Sequence, residues 1–442
     1  MPAPDPLPPP LAALLAREFF GIKLGLSTID AVCDALGRPE RACPCAHVAG
    51  TNGKGSVTAM VSAALGAAGH RTARYTSPHL ITLNERFVVD AVPLVTADLA
   101  AAAGRVLAAE SALRAAGRLA APATFFELAT AVAFEAFRAA GAEVSVFEVG
   151  LGGRFDATNV VTPHAAAITN IAFDHMAHLG ASLEAIAFEK AGIAKPGTPL
   201  VCGERAQAPR EVIARVAAER ASPLIDAFDG VETAVAVGVD GRLRLRLRTP
   251  EADYGTVRLA LRGRHQVDNA VVAVRLLETL DACGVRARRD AIVAGLETAR
   301  WPGRLQLVAL RDGGVVLLDA AHNPAGAATL AEYLRESFPP RPPLVFAALR
   351  DKDVSGMLRW LAPAIGRLLV TQPATARARP ATDLAAEAAR LVPDLAVEVA
   401  PNPAAALDAA RASARDVVVA GSIFLVGEVL DLLAPRATDP VW

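Results

Sequence analysis

The segment Gly50-Thr51-Asn52-Gly53-Lys54-Gly55-Ser56 stands between a short β-prone run, Ala46 to Ala49, and a longer run of small and apolar residues, Ser56 to Ala68. A strand that turns through glycines straight into a helix is the context a phosphate loop requires. Glycines let backbone N–H groups face an anion, the helix N-terminus adds partial positive charge, and Lys54 supplies a full charge for the outer phosphates of a nucleotide. The spacing departs from the usual Walker pattern because Gly55 separates the lysine from the hydroxyl residue. Ser56 is therefore the candidate hydroxyl for Mg²⁺, with Thr51 the poorer alternative.

A loop of this kind implies a parallel sheet, and the flanking sequence agrees. Strand-like runs at Ala46 to Ala49, Arg74 to Thr76, Val144 to Val149, Ala165 to Ile171 and Pro199 to Cys202 alternate with Ala/Leu-rich helical stretches such as Glu127 to Ala140. After Gly230 the pattern changes to strict alternation, Leu243 to Arg248, preceded by Asp240-Gly241, which predicts an antiparallel flap. A helix over Arg289 to Arg300 is stopped by Trp301-Pro302-Gly303. Beyond it, strands at Val315 to Leu318, Leu344 to Ala347, Leu368 to Thr371 and Val417 to Ala420 predict a second α/β domain. Arg248 to Tyr254 and Pro339 to Pro343 read as surface loops. The chain of 442 residues thus divides into residues 1–300 and 301–442.

Composition excludes several classes. With 53% hydrophobic and 21% charged residues and a net charge of -1, the chain has no bulk attraction for nucleic acid. The Pro-rich start, Met1 to Pro10, lacks the basic and apolar regions of a signal peptide and predicts an extended or disordered arm. The uncharged apolar stretches Gly55 to Gly69 and Val417 to Gly427 are shorter than the roughly 20 residues a membrane helix needs. A cytoplasmic protein is expected, and its five scattered cysteines read as reduced structural thiols.

Two strand ends carry metal chemistry. Glu148 closes the run Val144 to Val149, and Asp174-His175 follow Ile171 to Phe173, so both reach the carboxyl edge of the sheet beside the phosphate loop, where open α/β sheets bind ligands. Glu148 suits Mg²⁺; His175 is a less typical ligand and by itself reads as an ordinary loop histidine. Lys190, beside Glu189, reads as half of an exposed ion pair. Thr124, Phe125 and Phe126 read as core residues opening a helix.

The chain resembles the folylpolyglutamate synthase and dihydrofolate synthase family, relatives of the Mur ligases. The likeness is carried by GTNGKGS at 50–56, TSPHL at 76–80, TFFE at 124–127, EVGLGGRFDATN at 148–159, DH at 174–175, EKAGI at 189–193, HQVDNA at 265–270, WPGR at 301–304, DAAHNP at 319–324 and DKD at 351–353. It implies a phosphate-loop ATPase domain with a mainly parallel sheet and a Rossmann-like C-terminal domain, with the active site in the cleft between them. The activity implied is ATP-dependent addition of L-glutamate to dihydropteroate, to a folate, or to both. Folylpolyglutamate synthesis alone is the alternative, and a Mur-type amino-acid ligase or a non-catalytic nucleotide-binding regulator are more distant ones.

The resemblance also assigns residues. Thr51, Asn52, Gly53, Lys54, Gly55 and Ser56 would hold ATP phosphates, and Asn269, Arg304, Asp319 and His322 would contact the nucleotide. Ser56, Glu148 and His175 would ligate Mg²⁺. Lys190 would be carbamylated and hold a second Mg²⁺, a conversion that needs a neutral, buried amine. Ser77, Pro78, His79, Thr124, Phe125, Phe126 and Asp156 would line the acceptor pocket, where an aromatic ring suits a flat pterin. Lys23-Leu24-Gly25 stands where some bifunctional members carry an Asp. The resemblance further implies a monomer.

Overall fold

The computed structural model describes residues 7–17 and 25–435. Lys23 and Leu24 lie outside the described residues, as does the start of the expected Pro-rich arm. The rest of that arm is not extended: Pro9–Leu15 is a helix with proline at its first positions, where the missing N–H would have had no partner. Leu11 and Leu14 are fully buried and pack with Leu99 and Val106 of the helix Thr96–Ala115.

The first unit is an eight-stranded sheet of β1 (Cys45–Ala49), β2 (Thr72–Tyr75), β3 (Phe87–Val89), β4 (Val92–Pro93), β5 (Val144–Glu148), β6 (Ala165–Ile168), β7 (Leu200–Cys202) and β8 (Leu224–Asp226). Their order is β4-β3-β2-β5-β1-β6-β7-β8, parallel from β2 to β8 with β3 and β4 antiparallel at one edge. All five expected strands are present with ends that differ by one to three residues: β1 and β2 begin earlier than expected, β2, β5 and β6 end earlier, and β7 begins one residue later; β3, β4 and β8 are too short to show a pattern. Every residue of β1 is buried, as a central parallel strand covered on both faces requires. Its register pairs Val48 with Glu148 and Ala49 with Ile168, so the segments that follow β1, β5 and β6 leave the same edge side by side.

One face carries the helix Lys54–Ala67, which packs Val57, Met60 and Leu65 against Val274 and Leu277 of His265–Ala282 and Ile292 and Leu296 of Arg289–Thr298. The other face is covered by Thr96–Ala115 and Phe125–Ala139. The flap is present as β9 (Glu232–Val237), β10 (Leu243–Arg248) and β11 (Asp253–Arg258), with Leu243, Leu245 and Leu247 inward on the same core and the arginines outward. The expected loop from Arg248 to Tyr254 is shorter than its sequence suggests. Tyr254 belongs to β11, where its ring is buried and its hydroxyl donates to Glu278 Oε1 at 2.8 Å.

The second unit is a six-stranded sheet of β12 (Gln306–Ala309), β13 (Val315–Asp319), β14 (Pro343–Phe346), β15 (Arg367–Val370), β16 (Val397–Val399) and β17 (Val417–Ala420). Its order is β12-β13-β17-β14-β15-β16, parallel except for β12. Pro324–Ser337, Val354–Leu361 and Ala381–Leu391 cover one face, and Pro403–Ser413 and Ile423–Leu433 the other. Asp319 ends β13 at the carboxyl edge of this second sheet.

Candidate active site between the two sheets

The glycines of the phosphate loop are required by their neighbours. A Cβ at Gly50 (φ 142°) would fall 1.8 Å from Thr169 Oγ1, and one at Gly53 (φ 84°) 2.2 Å from Asn269 Oδ1. The loop is fastened from β6: Thr51 N–H donates to Asn170 O at 2.8 Å, Asn52 N–H to Asn170 Oδ1 at 3.0 Å, and Thr169 Oγ1 to Asn52 O at 2.6 Å. Thr51 Oγ1 accepts from Ala172 N–H and donates to Ala172 O, so its hydroxyl is engaged on both sides. Ser56 Oγ accepts from Gln266 Nε2 at 3.2 Å, and Gln266 Oε1 in turn accepts from Asn269 Nδ2 at 3.0 Å. Of the two hydroxyls, only Ser56 has its own proton uncommitted in the described contacts.

Gly55, the residue outside the Walker pattern, has a steric reason. Its Cβ would lie 2.2 Å from the Trp301 ring. The guanidinium of Arg74 stands over the same ring at 5.3 Å, so the residue at the boundary of the two units is clamped between β2 and the phosphate loop.

Around this loop the charged candidates converge. Lys54 Nζ donates to Gly50 O at 3.1 Å and Thr51 O at 3.0 Å. The same lysine acts electrostatically on Glu148, His175 and Lys190. Glu148 accepts the Ser77 N–H at 3.2 Å, and burial raises its carboxyl pKa against the pull of Lys54, Arg304 and Arg74. Burial lowers the His175 imidazole to about 4, leaving it neutral near pH 7. Its backbone is in the left-handed region, φ 50° and ψ 36°, a costly place for a residue other than glycine.

Lys190 is not the exposed ion-pair member its neighbour Glu189 suggests. Glu189 pairs with Arg154 at 2.6 Å, whereas Lys190, 4% exposed, turns inward and donates to Gly50 O at 2.8 Å. Burial, then the charge of Lys54, lowers its ammonium pKa to about 7.

The second unit closes the site. Asp319 accepts the N–H groups of Leu305 and Ala321, both at 2.9 Å, and its burial raises its pKa against the nearby Arg304. Arg304 is half-buried, and burial lowers its pKa against the attraction of Asp319 and Glu148. Lys352 Nζ donates to Asp174 Oδ1 at 2.6 Å, and Asn323 Nδ2 donates to Asn52 Oδ1 at 3.0 Å and Asp174 Oδ2 at 3.2 Å. His322 Nε2 lies 3.3 Å from Asp174 Oδ2, and its Nδ1 is 2.8 Å from Ala320 O. Burial would raise the Asp174 carboxyl; the hydrogen bond and charge of His322, then His175 and Lys352, instead hold it far below the usual carboxylate range.

Among the residues expected to line an acceptor pocket, Ser77-Pro78 is a cis peptide, and His79 Nδ1 accepts from Arg86 Nε at 2.9 Å. Burial and the Arg86 charge push His79 down to about 3. The N–H groups of Leu80 and Ile81 bind Glu85, while the two side chains pack on the core of the second unit. Thr124 caps the helix Phe125–Ala139 in a reciprocal box with Glu127, so its hydroxyl has a structural task. Phe125 is buried with Arg86 over its ring, whereas the half-buried Phe126 packs against Tyr75. Asp156 is buried and accepts the N–H groups of Leu151 at 2.8 Å and Thr158 at 3.0 Å, which shapes the turn after β5.

Comparison with known proteins decides the family. The Mur ligase middle domain matches residues 48–277, and the Mur ligase, glutamate ligase domain matches residues 303–423. The dihydrofolate synthase/folylpolyglutamate synthase of Mycobacterium tuberculosis is 37% identical over 449 residues, covering 95% of this chain and 91% of that protein. The chain belongs to the dihydrofolate synthase/folylpolyglutamate synthase family. A Mycobacterium tuberculosis folylpolyglutamate synthase complexed with ADP and AMPPCP superimposes with TM-score 0.88 at 35% identity, covering 98% of this chain and all of that one (100%). A bifunctional folylpolyglutamate synthase/dihydrofolate synthase with Mn, AMPPNP and L-glutamate bound gives TM-score 0.83 at 30% identity, covering 96% and 98%. Like its family, the protein is an ATP-dependent ligase of α/β Mur-ligase architecture.

The donor set of this ligase fits a hard divalent ion that retains other ligands. A hydroxyl, a carboxylate and a neutral imidazole surround the phosphate loop, and among the described residues no three His, Cys, Asp or Glu side chains form a cage of their own. The hydroxyl and the carboxylate are oxygen donors of the kind Mg²⁺ takes beside nucleotide phosphates, and the imidazole is the less typical member of the set. Sequence reasoning placed Asp174 at the sheet edge without giving it a role, and missed Asn323, Lys352, Gln266 and Arg74 as site residues. Asp174, Asn323, Lys352 and Gln266 sit inside motifs that carry the family likeness, in which other residues or none were assigned; Arg74 gave no signal beyond a charge in a strand. Among the described residues no helix is long and apolar enough to cross a membrane.

Proposed function

We propose that this ligase joins L-glutamate to dihydropteroate and to reduced folates through an acyl phosphate, in a cleft between residues 1–300 and 301–442. The observation that carries the reading is the convergence of Lys54 and Lys190 on Gly50 O of the phosphate loop, with Lys54 within electrostatic range of Glu148 and His175 and Arg304 of the second unit within range of Glu148. The M. tuberculosis relative, which bears both enzyme names, supports the two-acceptor form.

In this reading Thr51 to Ser56 cradle the ATP phosphates, and Asn269, Arg304 and Asp319 hold the rest of the nucleotide. Ser56, Glu148 and His175 hold Mg²⁺, and a carbamylated Lys190 takes a second ion; bound there, the metal supplies positive charge against phosphoryl oxygens. Support for the carbamate is an amine buried and lowered to about 7, which is partly neutral at physiological pH. Ser77, Pro78, His79, Phe125, Phe126 and Asp156 shape the acceptor side, with Thr124 fixing the helix that presents Phe126. The protein works as a cytoplasmic monomer without nucleic acid, consistent with its net charge of -1.

A carboxylate oxygen is a poor leaving group toward an amine. The acceptor carboxylate attacks the γ-phosphorus, the bond to the β,γ-bridging oxygen breaks, and ADP leaves. Lys54 and Arg304 offset charge on the transferred group. The neutral α-amine of glutamate then attacks the acyl carbon, inorganic phosphate departs, and the amine proton passes to solvent or phosphate.

Hydroxylamine trapping tests the intermediate. With ATP, Mg²⁺ and acceptor but no glutamate, a pteroyl or folyl hydroxamate should form together with ADP. ATP-dependent glutamate addition that leaves no hydroxamate under those conditions would contradict the acyl phosphate.

A further inference from the structure

Asp174 belongs to the first unit but is held by three side chains of the second. Lys352 Nζ lies 2.6 Å from its Oδ1, Asn323 Nδ2 3.2 Å from its Oδ2, and His322 Nε2 3.3 Å from the same oxygen. Oδ1 carries one more bond, from the N–H of His175 at 2.9 Å. The carboxylate that the second unit grips therefore also fixes the backbone of His175 in its left-handed conformation. That conformation needs outside support to persist.

The mounts behind this grip are rigid. Asn323 caps the helix Pro324–Ser337, its Oδ1 accepting the Gly326 N–H at 2.8 Å while its amide nitrogen faces Asp174 and Asn52. Lys352 immediately precedes Asp353, which caps Val354–Leu361 through the Gly356 N–H at 2.8 Å. The Lys352 and Asp174 side chains are 6% and 9% exposed, so each needs the other while the units are together. Apart, both would rehydrate, and the Asp174 carboxylate would lose the contacts that aim it at the His175 N–H.

We propose that Lys352 and Asn323 are positioning residues that set His175 through Asp174, so that the site of the first unit is completed only when the second unit closes on it. One side chain, Asn323, would report closure to two places at once, the phosphate loop through Asn52 and the His175 segment through Asp174. The proposal rests on the reading of His175 as a metal ligand.

The test uses the full chain and Mn²⁺ as probe, with free Mn²⁺ measured by electron paramagnetic resonance in the presence of AMPPNP. Lys352→Met should weaken Mn²⁺ binding by about 10- to 100-fold, the loss typical when a residue that orients a metal ligand is removed, while KM for the acceptor stays within about twofold. Lys352→Arg should restore most of the affinity. Asn323→Ser keeps the helix cap and removes only the amide donor, and should weaken Mn²⁺ binding in the same direction even if Lys352→Met fails to fold. Lys352→Met combined with Asp174→Asn should bind no more weakly than Asp174→Asn alone. Unchanged Mn²⁺ affinity in Lys352→Met and Asn323→Ser, with affinity lost in His175→Ala, would overturn the proposal and leave the metal reading standing. Unchanged affinity in His175→Ala would overturn the metal reading itself.

Discussion

Lys190 Nζ donates a hydrogen bond to Gly50 O at 2.8 Å, tying the helix Leu183–Ala191 to the first residue of the phosphate loop. Glu189, one position earlier and about 100° away around the helix, faces Arg154 instead. The turn between these two residues separates a half-buried ion pair from a buried amine whose pKa falls to about 7.

Carbamylation of Lys190 predicts a dependence on CO₂. Activity in CO₂-depleted buffer should fall and recover on adding bicarbonate. Lys190→Ala should lose about 10²-fold in kcat whatever the bicarbonate level, in the range seen when one group stabilising transition-state charge is removed. Short carboxylic acids should restore part of it. A CO₂-independent wild type would show that Lys190 acts as an amine.

Replacing Lys54 tests the phosphate loop. Lys54→Ala should lower kcat by about 10²- to 10³-fold, because the charge opposite the transferred phosphoryl group is lost. Thermal unfolding should change less than kcat, since the hydrogen bonds of Lys54 run to two carbonyls of its own loop, Gly50 and Thr51.

Gly55→Ala should destabilise the protein by about 1–3 kcal/mol through overpacking against the Trp301 ring, 2.2 Å from the new carbon. In a Trp301→Leu background the same change should cost less. Denaturant unfolding of the two single variants and the double gives the coupling directly.

The phosphate loop, the order of strand and helix, and the Arg/Leu flap were legible because each is a local pattern. The helix at Pro9–Leu15 was not, since proline at a first turn looks the same in sequence as proline in an extended arm. Ser56 and Thr51 could be ranked by spacing, but only the two hydrogen bonds between the Thr51 hydroxyl and the Ala172 backbone show why Thr51 is occupied. The Asp174–Lys352 pair spans 178 positions, and no local pattern brings such residues together. Thr124 and Asp156 illustrate the reverse case, in which motif residues turn out to cap and shape the backbone around the site.

His47 gives a pH prediction away from the site. It is fully buried on β1, with Nε2 2.8 Å from Thr158 Oγ1, and burial followed by the Lys195 charge lowers its pKa to about 3. The unfolded chain, with a histidine pKa near 6.5, binds more protons between about pH 3 and 6.5, so stability rises with pH across that window and is lost as pH falls through it. His47→Gln should flatten this part of the stability profile in urea titrations at successive pH values.

Incorporation of labelled L-glutamate by the purified protein, with ATP and Mg²⁺ and with dihydropteroate and tetrahydrofolate offered separately, tests the central claim most directly. The account predicts one ADP released per glutamate added with each acceptor, and neither product without ATP. Incorporation with neither acceptor would contradict the folate assignment, and incorporation with tetrahydrofolate alone would contradict the two-acceptor form.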